Sequence, residues 1–473
     1  MNPDPQKLVI VGHGAAGLAA AVSAAEQAHT SGLRIEITLL EKARAAEAGG
    51  NTRWSPSYMR MAAPDQLAPG FEEDMQRASG GLADPDYFRT LAENATATLG
   101  WLGTHGVSFD TPIYYLSAGP PRIQPIGGGR AILDRLAEAA GKTGVKLRYE
   151  SPAIRLRMGE GGVSGVEVRS SGRDVSVIDA DAVILASGGF QGDVTMMRKH
   201  FGAAAETLKL ISPGTRFDTG DGIRMAKDQG ASVSGDWNGM HIEPIDPRSA
   251  HSAPVVLVYP YGIVVDQEGR RFFDEGSGLV HETWEGFARH IHFARPGSIA
   301  YAILDSRLLD IAGYERAIRS DVPPHRADTI EELAMLIGIP ARNLKTTIDA
   351  YNAAATGDAA TFDATRCDGL AADRALQPPK SNWARAIAKP PYLAYPLVGG
   401  IAYTFGGLAT NAKAEVLSEH GPMPGLYAAG ETTGHFHGIA PNAVAVLRAL
   451  VFGRIAGRQA VDFLHRQAAS AER

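Results

Sequence analysis

The sequence predicts an α/β protein in which a doubly wound parallel sheet carries an inserted α+β domain. An apolar run at residues 7–12 ends in glycine and is followed by an Ala-rich stretch, residues 15–29, and by a second apolar stretch, residues 33–41. A strand, a helix and a strand in this order are typical of a βαβ unit. Near residue 240 Pro and aromatic residues become frequent, and the doubly wound pattern returns only near residue 400. These observations predict a Rossmann-like domain that is interrupted by a second domain.

The remaining elements follow from hydrophobic periodicity and glycine turns. The length of 473 residues suggests two to three domains. The predicted boundaries are residues 1–240 for the first part of the dinucleotide-binding domain, 241–400 for the capping domain and 401–473 for the second part. Further helices are predicted at 84–104, 131–141 and 219–230, strands near 145–150, 153–157, 163–169 and 181–187, and a long terminal helix from about Asn442 to Phe463.

The first glycine-rich turn has the spacing of a dinucleotide-binding fingerprint. Gly12 permits a tight turn, Gly14 lets the backbone approach a pyrophosphate, and Gly17 allows close packing of helix on strand. Glu41 ends the next strand, where a carboxylate accepts hydrogen bonds from ribose hydroxyls. The helix that begins after Gly14 directs its positive end at the phosphates. A glycine turn alone is a weak signal, but this one lies between a strand and a helix and therefore predicts a bound dinucleotide.

Three later glycine turns favour FAD over NAD. Residues 49–52 lie just beyond Glu41, residues 186–189 close a later strand, and residues 430–431 close the last one. Their spread over the whole chain indicates one extended ligand that crosses the sheet. Since only one complete fingerprint is present, a second nucleotide site is not predicted.

Composition excludes several classes of function. The net charge is −6 and no long basic run occurs, so nucleic acid is not an expected partner. The single cysteine, Cys367, excludes disulfides, iron–sulfur clusters and CxxC pairs, and no metal site is predicted. No signal-peptide pattern and no apolar span of about 20 residues is present, so we expect a cytoplasmic protein without a membrane span. The electron acceptor stays open between oxygen, a quinone and a protein.

An ordered set of motifs supports a family resemblance. The motifs are Glu41-Lys42, Gly49-Gly50-Asn51-Thr52, Ala186-Ser187-Gly188-Gly189-Phe190, Thr219-Gly220-Asp221-Gly222, Gly269-Arg270-Arg271-Phe272, Phe405-Gly406-Gly407-Leu408 and Tyr427-Ala428-Ala429-Gly430-Glu431. This order resembles the fumarate reductase/succinate dehydrogenase flavoprotein family, most closely its soluble tricarballylate dehydrogenase and 3-ketosteroid Δ1-dehydrogenase branches. The resemblance implies an FAD domain built from both chain ends, a capping domain between them, and hydride transfer to or from flavin N5. Because residues 41–50 contain no histidine, the resemblance implies non-covalent FAD.

The resemblance and the glycine turns together predict the residues that bind FAD. Asn442 is the predicted N-cap of the terminal helix, whose free N–H groups from Ala443 to Leu447 would face the flavin N1–C2=O edge. The full predicted set is Gly12, Gly14, Ala15, Ala16, Gly17, Glu41, Lys42, Gly49, Gly50, Asn51, Thr52, Ala153, Ala186, Ser187, Gly188, Gly189, Asp221, Gly430, Glu431, Asn442, Ala443, Val446 and Leu447.

The sequence departs from the family where catalysis is expected. Fumarate reductases carry an arginine shortly after the Arg-Phe-x-x-Glu motif and another before the last helix, but residues 276–288 and 438–442 contain none. Ketosteroid dehydrogenases place a tyrosine in each of these loops, and those are also absent. The resemblance places other side chains at or near the family's substrate positions. It implies His241, His281, His437, Tyr403 and Tyr115 as catalytic residues, and Arg60, Tyr114 and His435 as substrate-binding residues.

Three functions are compatible with these residues. The first is a dehydrogenase that desaturates a C–C bond α,β to a carboxylate or ketone of a small substrate, because histidine or tyrosinate suits proton removal better than arginine. The second is a fumarate-type reductase of an unsaturated acid, with His281 or another group in place of the arginine. The third is a non-catalytic electron-transfer flavoprotein, against which the His and Tyr residues at family substrate positions argue.

Overall fold

The structure, a computed structural model, describes residues 4–112, 116, 119–169, 174–355 and 357–471. Its mixture of parallel strands and helices confirms the predicted α/β class. The helices are α1 Ala15–Ser31, α2 Phe71–Ala78, α3 Pro85–Thr104, α4 Gly128–Lys142, α5 Val194–Phe201, α6 Asp221–Lys227, α7 Val280–Ala294, α8 Ile330–Ile337, α9 Ala341–Ala354 and α10 Ala445–Ala471. The strands are β1 Gln6–Val11, β2 Ile35–Leu40, β3 Met61–Ala63, β4 Gln66–Leu67, β5 Phe109–Asp110, β6 Gln124–Pro125, β7 Lys146–Arg148, β8 Ala153–Gly159, β9 Gly162–Arg169, β10 Val175–Asp179, β11 Ala182–Leu185, β12 Lys209–Leu210, β13 Val233–Ser234, β14 Met240–Ile245, β15 Ile263–Val265, β16 Ala300–Leu304, β17 His325–Ala327, β18 Tyr392–Thr404, β19 Gly407–Leu408, β20 Glu415–Ser418 and β21 Gly421–Ala428.

The first sheet has the strand order β20-β21-β11-β1-β2-β7. β1 pairs in parallel with β2 on one side and β11 on the other, so that Val9 lies opposite both Thr38 and Val183. The chain leaves β1 through α1 towards β2 and reaches β11 only after a long excursion. The strand order therefore reverses at β1, and ligands of open α/β sheets bind at the carboxyl ends of the strands at such a point.

Helices α1 and α10 pack directly against each other on one face of this sheet. A Cβ atom on Gly453 would lie 2.4 Å from the Ala16 carbonyl oxygen, and one on Gly457 would lie 2.3 Å from the Ala20 oxygen. Only glycine permits this approach, and the small residues of α1 provide the matching surface. The two helices thus hold the first and last segments of the first sheet together.

The start predicted for the terminal helix is wrong by three residues. α10 begins at Ala445, and its first i→i−4 hydrogen bond runs from the Arg448 N–H to the Val444 oxygen over 2.9 Å. Ala443 has φ +61°, in the left-handed region, so it cannot belong to the helix. Asn442 therefore lies in the turn before the helix and is not its N-cap.

The second sheet is organised by the long strand β18. It pairs with β12, β14, β16 and β17, and β15 extends the sheet at β16. In the pairing of β14 with β18, His241 lies opposite Tyr403. Since β12 lies before residue 241 and β18 runs past residue 400, strands from both sides of the predicted boundaries enter this sheet. The domain division at residues 240 and 400 stays a prediction.

Two further observations complete the architecture. β8, β9 and β10 form a separate antiparallel sheet. Across the ranges that the structure describes, we find no helix with the length and apolar character of a membrane-spanning segment.

Candidate active site

A cavity of about 270 Å³ lies where the two sheets meet. The carboxyl ends of β1, β2, β11 and β21 form one side, and β14 and β18 contribute residues from the other. Gly17, Gly189 and Leu447 are not on its wall. The other residues predicted to bind FAD all line it, namely Gly12, Gly14, Ala15, Ala16, Glu41, Lys42, Gly49, Gly50, Asn51, Thr52, Ala153, Ala186, Ser187, Gly188, Asp221, Gly430, Glu431, Asn442, Ala443 and Val446.

The turn between β1 and α1 has the geometry of a phosphate cradle. Gly12 has φ +112°, and a Cβ there would lie 2.2 Å from the Ala186 oxygen. A Cβ on Gly17 would lie 1.9 Å from the Gly12 oxygen, so Gly17 serves the packing and not the ligand. A Cβ on Gly14, by contrast, would meet nothing closer than Thr52 Oγ1 at 3.8 Å. The space in front of Gly14 fits a pyrophosphate at the positive end of α1.

Glu41 and Lys42 follow β2 at the same edge. The Glu41 carboxylate accepts the His13 N–H at 3.0 Å and the Ala43 N–H at 2.7 Å, and burial raises its pKa. Each carboxylate oxygen keeps a second acceptor site, which suits the ribose hydroxyls of FAD. Lys42 forms an ion pair with Asp221 at 2.7 Å, so these two residues hold each other at the wall.

Residues 49–52 connect the first sheet to β18. The Asn51 amide donates to the Ala402 oxygen at 2.7 Å, and its Oδ1 accepts from the Ser212 and Thr215 hydroxyls. Thr52 Oγ1 accepts the Ala15 N–H at 3.3 Å. The amide and the oxygen of the Asn51 side chain therefore both bind protein groups, and Asn51 shapes the cavity wall.

The glycines at residues 188 and 189 make room for two buried carboxyl groups. A Cβ on Gly188 would lie 2.2 Å from Asp218 Oδ1, and one on Gly189 would lie 2.2 Å from Glu431 Oε1. Burial raises the pKa of both carboxyl groups, and the repulsion of Glu431 adds to the effect on Asp218. Buried groups of this kind favour hydroxyl partners, which the ribityl chain of FAD provides. The sequence prediction missed Asp218.

Two buried arginines hold the turn before α10. Arg60 Nε donates to the Asn442 carbonyl oxygen at 3.1 Å and its Nη1 bonds Asp74 at 2.8 Å. Arg122 Nη1 donates to Asn442 Oδ1 at 2.9 Å. Neither arginine is on the cavity wall, so the structure places Arg60 behind the turn, and its role in binding a substrate anion stays a prediction. The two side chains fix the start of α10, where the N–H groups of Ala445 to Leu447 precede the first helical hydrogen bond.

His241 lies at the opposite end of the cavity between two carboxylates. Its Nδ1 is 2.8 Å from Glu285 Oε2 and its Nε2 is 3.0 Å from Glu243 Oε1. Burial alone would lower the imidazole pKa, but the hydrogen bonds and charges of the two glutamates raise it to about 9. At neutral pH the ring is therefore an imidazolium that donates to both carboxylates.

Tyr403 and Trp284 complete this end of the cavity. The Tyr403 ring centroid is 4.9 Å from that of His241, and burial raises the pKa of its hydroxyl well above the usual value. The phenol is therefore a hydrogen-bond donor at neutral pH. Glu243, Trp284 and Arg319 also line the cavity, and the charges of Glu243 and Arg319 both act on the nearby Tyr58.

Glu243 and Glu285 were not predicted from the sequence, although the sequence contains one signal for Glu243. His241 and Glu243 are separated by one residue in a strand, and side chains at i and i+2 lie on the same face. Glu285 has no such signal because it comes from α7, which packs on β14 through the fold.

The other histidines predicted for the site, His281 and His437 as catalytic and His435 as substrate-binding, do not line the cavity. His281 lies beside Arg122, since a Cβ on Gly119 would meet both side chains within 3.3 Å, and burial with the charges of Arg122 and Arg60 lowers its pKa to about 4. His435 stacks on Tyr87 at 3.6 Å and shares a hydrogen bond with Thr410 at 2.8 Å.

Burial lowers the pKa of His435 to about 3, which is typical of a neutral packed histidine. His437 is half-buried next to this cluster. Tyr114 and Tyr115 lie outside the described residues.

Comparison with known proteins places this geometry in a family. The family described as FAD binding domain matches residues 7–445. The protein named "Probable fumarate reductase Ifc3" of Shewanella frigidimarina (strain NCIMB 400) is 30% identical over 478 residues, which cover 96% of this chain and 74% of that protein. A solved flavocytochrome c3 fumarate reductase in an open conformation matches with a TM-score of 0.75 at 26% identity, covering 98% of this chain and 79% of that one.

A second solved structure shares the fold. The 3-ketosteroid-delta4-(5alpha)-dehydrogenase of Rhodococcus jostii RHA1 matches with a TM-score of 0.69 at 24% identity, covering 98% of each chain. These matches confirm the resemblance to both kinds of flavoprotein. The phosphate cradle, the buried carboxyl groups and the N-terminus of α10 fit FAD along one wall. The chain belongs to the FAD binding domain family, and it is an FAD-dependent oxidoreductase that acts on CH–CH groups.

Proposed function

We propose that the protein is a dehydrogenase that desaturates a C–C bond α,β to a carboxylate or ketone of a small organic substrate. The observation that supports this direction is the Glu243–His241–Glu285 array at the cavity end opposite the dinucleotide fingerprint. When bound, FAD accepts a hydride at N5. The array receives the proton from the neighbouring carbon, and the electron pair of that C–H bond forms the double bond.

In this proposal Glu243 is the base. It lines the cavity beside His241 and keeps free acceptor sites, whereas both nitrogens of the His241 ring are engaged with carboxylates and Glu285 is not on the wall. His241, predicted from the sequence as catalytic, becomes a positioning residue. Its imidazolium donates from Nδ1 to Glu285 and from Nε2 to Glu243, so it holds the Glu243 carboxylate at the cavity wall while that carboxylate takes the proton from carbon.

Tyr403 and Arg319 supply the substrate contacts. The protonated Tyr403 phenol can donate to a substrate carbonyl and so acidify the adjacent C–H bond. Arg319 brings a cation to the wall on the same side as Glu243, which suits a carboxylate at the far end of the substrate. The Trp284 indole covers the reacting carbons and excludes water.

A reductase of an unsaturated acid is the second candidate, and one observation favours it. The His241 pKa of about 9 means that the array holds a proton at neutral pH, and this proton can also be delivered to a carbon. The relatives include a protein named as a fumarate reductase and one named as a dehydrogenase, so they do not choose the direction. A non-catalytic electron-transfer flavoprotein requires no proton-transfer group, so the Glu243–His241–Glu285 array argues against that function.

An anaerobic titration tests the direction. Saturated acids and cyclic ketones are added to the oxidised holoenzyme, and their unsaturated partners to the dithionite-reduced holoenzyme, while the flavin absorbance near 450 nm is followed. We expect at least one saturated compound to bleach the flavin. Reoxidation by an unsaturated partner without any bleaching would establish the reductase, and no response in either arm would contradict both.

A further inference from the structure

Arg448 is a buried cation on the cavity wall that the reaction described above does not use. It lies in the first turn of α10 and is 1% exposed. Its Nη1 makes a long contact of 3.4 Å with the Thr433 oxygen, and its Cζ lies 3.8 Å from the centre of the Phe436 ring. Its Nε finds no hydrogen-bond partner among the residues that the structure describes.

No carboxylate pairs directly with Arg448. Within the described part of the chain, no carboxylate oxygen lies within 4.0 Å of this guanidinium, in contrast to the buried Arg271, which pairs with Glu275 at 2.7 Å. Its charge acts over a longer distance on Glu431, where it opposes the rise in pKa that burial causes. An arginine cannot discharge itself by losing a proton, and a cation in the first turn is unfavourable at the positive end of α10. A buried charge in this situation favours a further anionic partner from outside the chain.

The neighbours of Arg448 show which part of the cofactor lies near it. The pyrophosphate cradle is at the start of α1, around Gly14. Phe436, on which Arg448 lies, has its ring centre 6.1 Å from that of Tyr403, at the end of the cavity where the second sheet enters. Arg448 therefore lies towards the reacting end, beside the N–H groups at the start of α10.

We propose that Arg448, together with the start of α10, binds the N1–C2=O edge of the flavin and stabilises the negative charge that this edge carries after reduction. Hydride arrival at N5 leaves the pyrimidine part of the ring anionic unless it gains a proton. A fixed guanidinium in a dry site stabilises that charge without reorganisation. Arg448 thereby raises the reduction potential of the bound FAD.

The test uses the holoenzyme and two probes that need no substrate. The first is the midpoint potential of the bound flavin, and the second is the affinity for sulfite, which adds to N5 of oxidised flavin and leaves negative charge at the same edge. Arg448→Met and Arg448→Gln remove the charge, and Arg448→Lys keeps it. Arg454→Met is the matched control, because Arg454 lies on the same helix but contacts Trp101 and Thr98 away from the cavity.

We expect each neutral variant to bind sulfite at least about tenfold more weakly than the wild type, as for loss of one charge-assisted contact. The same tenfold change in the two-electron equilibrium corresponds to a potential about 30 mV more negative. Arg448→Lys should recover most of both values, and Arg454→Met should change neither. Whichever neutral variant retains flavin provides the comparison.

Two results would overturn the proposal. One is a neutral variant whose potential and sulfite affinity match those of Arg454→Met. The other is an unchanged potential with weaker binding of sulfite alone, which would assign Arg448 to an anionic ligand and not to the flavin edge. Both readouts are independent of the direction of catalysis, so failure here leaves the dehydrogenase proposal intact.

Discussion

The two ends of the cavity are built in different ways. The dinucleotide end is formed by backbone, in which glycines at residues 12, 188 and 189 allow chain segments to approach each other. The other end, where we propose that the reaction takes place, is formed by side chains from β14, α7 and β18, with His241 between two glutamates. A site formed by backbone can be recognised from short contiguous sequence motifs. A site formed by side chains depends on contacts between elements that are far apart in the sequence. Each of the following substitutions acts on one end and should spare the other.

The largest effect is expected for Gly12→Ala. The new methyl group would lie 2.2 Å from a backbone oxygen at a φ of +112°, so we expect a loss of stability of more than about 3 kcal/mol, with no FAD retained. The control is Gly32→Ala, at φ +69° with nothing within 4 Å, which should cost about 1 kcal/mol. Thermal unfolding and the flavin-to-protein absorbance ratio measure both effects. Equal losses in the two variants would mean that the close approach at Gly12 is unimportant.

Glu243→Gln should abolish proton transfer without disturbing FAD. The amide cannot accept the proton, so the rate of flavin bleaching by an active substrate should fall on the order of 10²- to 10⁴-fold. The flavin spectrum and the melting temperature should stay near those of the wild type. Glu160→Gln, at an exposed position, is the control. A bleaching rate within a few-fold of the wild type would show that Glu243 is not the base.

The His241 ion cluster should make stability depend on alkaline pH. The folded pKa of about 9 exceeds the unfolded value of 6.5, so the stabilisation is fully present below pH 6.5 and is lost as the pH rises through 9. The difference amounts to about 3 kcal/mol at most. Denaturant unfolding of wild type and His241→Gln should therefore give curves that converge between pH 7 and 10. A difference that stays constant over this range would contradict an imidazolium at His241.

The smallest effect is expected for Gly14→Ala. Because the new methyl group would meet no protein atom closer than 3.8 Å, the fold should change in stability by no more than about 1 kcal/mol. The methyl group would instead occupy the space of the pyrophosphate, and FAD should bind about tenfold more weakly. Titration of FAD into the deflavinated protein measures this. Unchanged affinity would show that the phosphates do not lie against Gly14.

The dinucleotide end could be predicted residue by residue because its signals are local. Gly12, Gly14 and Glu41 lie within 30 residues of one another, and their roles follow from turn geometry. Asp218 could not be predicted from the sequence, because its position at the site depends on contact with Gly188, which is 30 residues away along the chain. The boundary of α10 was misplaced since the left-handed conformation of Ala443 has no sequence signal.

At the reacting end the sequence identified His241 and Tyr403 but not their setting. Strand pairing places these two opposite each other, and only the packing of α7 on β14 brings Glu285 to the ring. Tertiary packing also places His281 beside Arg122 and His435 against Tyr87, away from the cavity wall. Residue type and motif position could not separate a histidine on the cavity wall from one packed away from it.

The packing of α10 on α1 has a consequence for biosynthesis. α1 leaves the ribosome well before its packing partner α10, which follows about 400 residues later along the chain. At 5 to 20 residues per second this interval lasts roughly 20 to 80 s. During that time the small-residue face of α1 has no final partner. The nascent chain therefore depends on chaperones or on transient contacts over this interval, and FAD can enter its complete site only after α10 has docked.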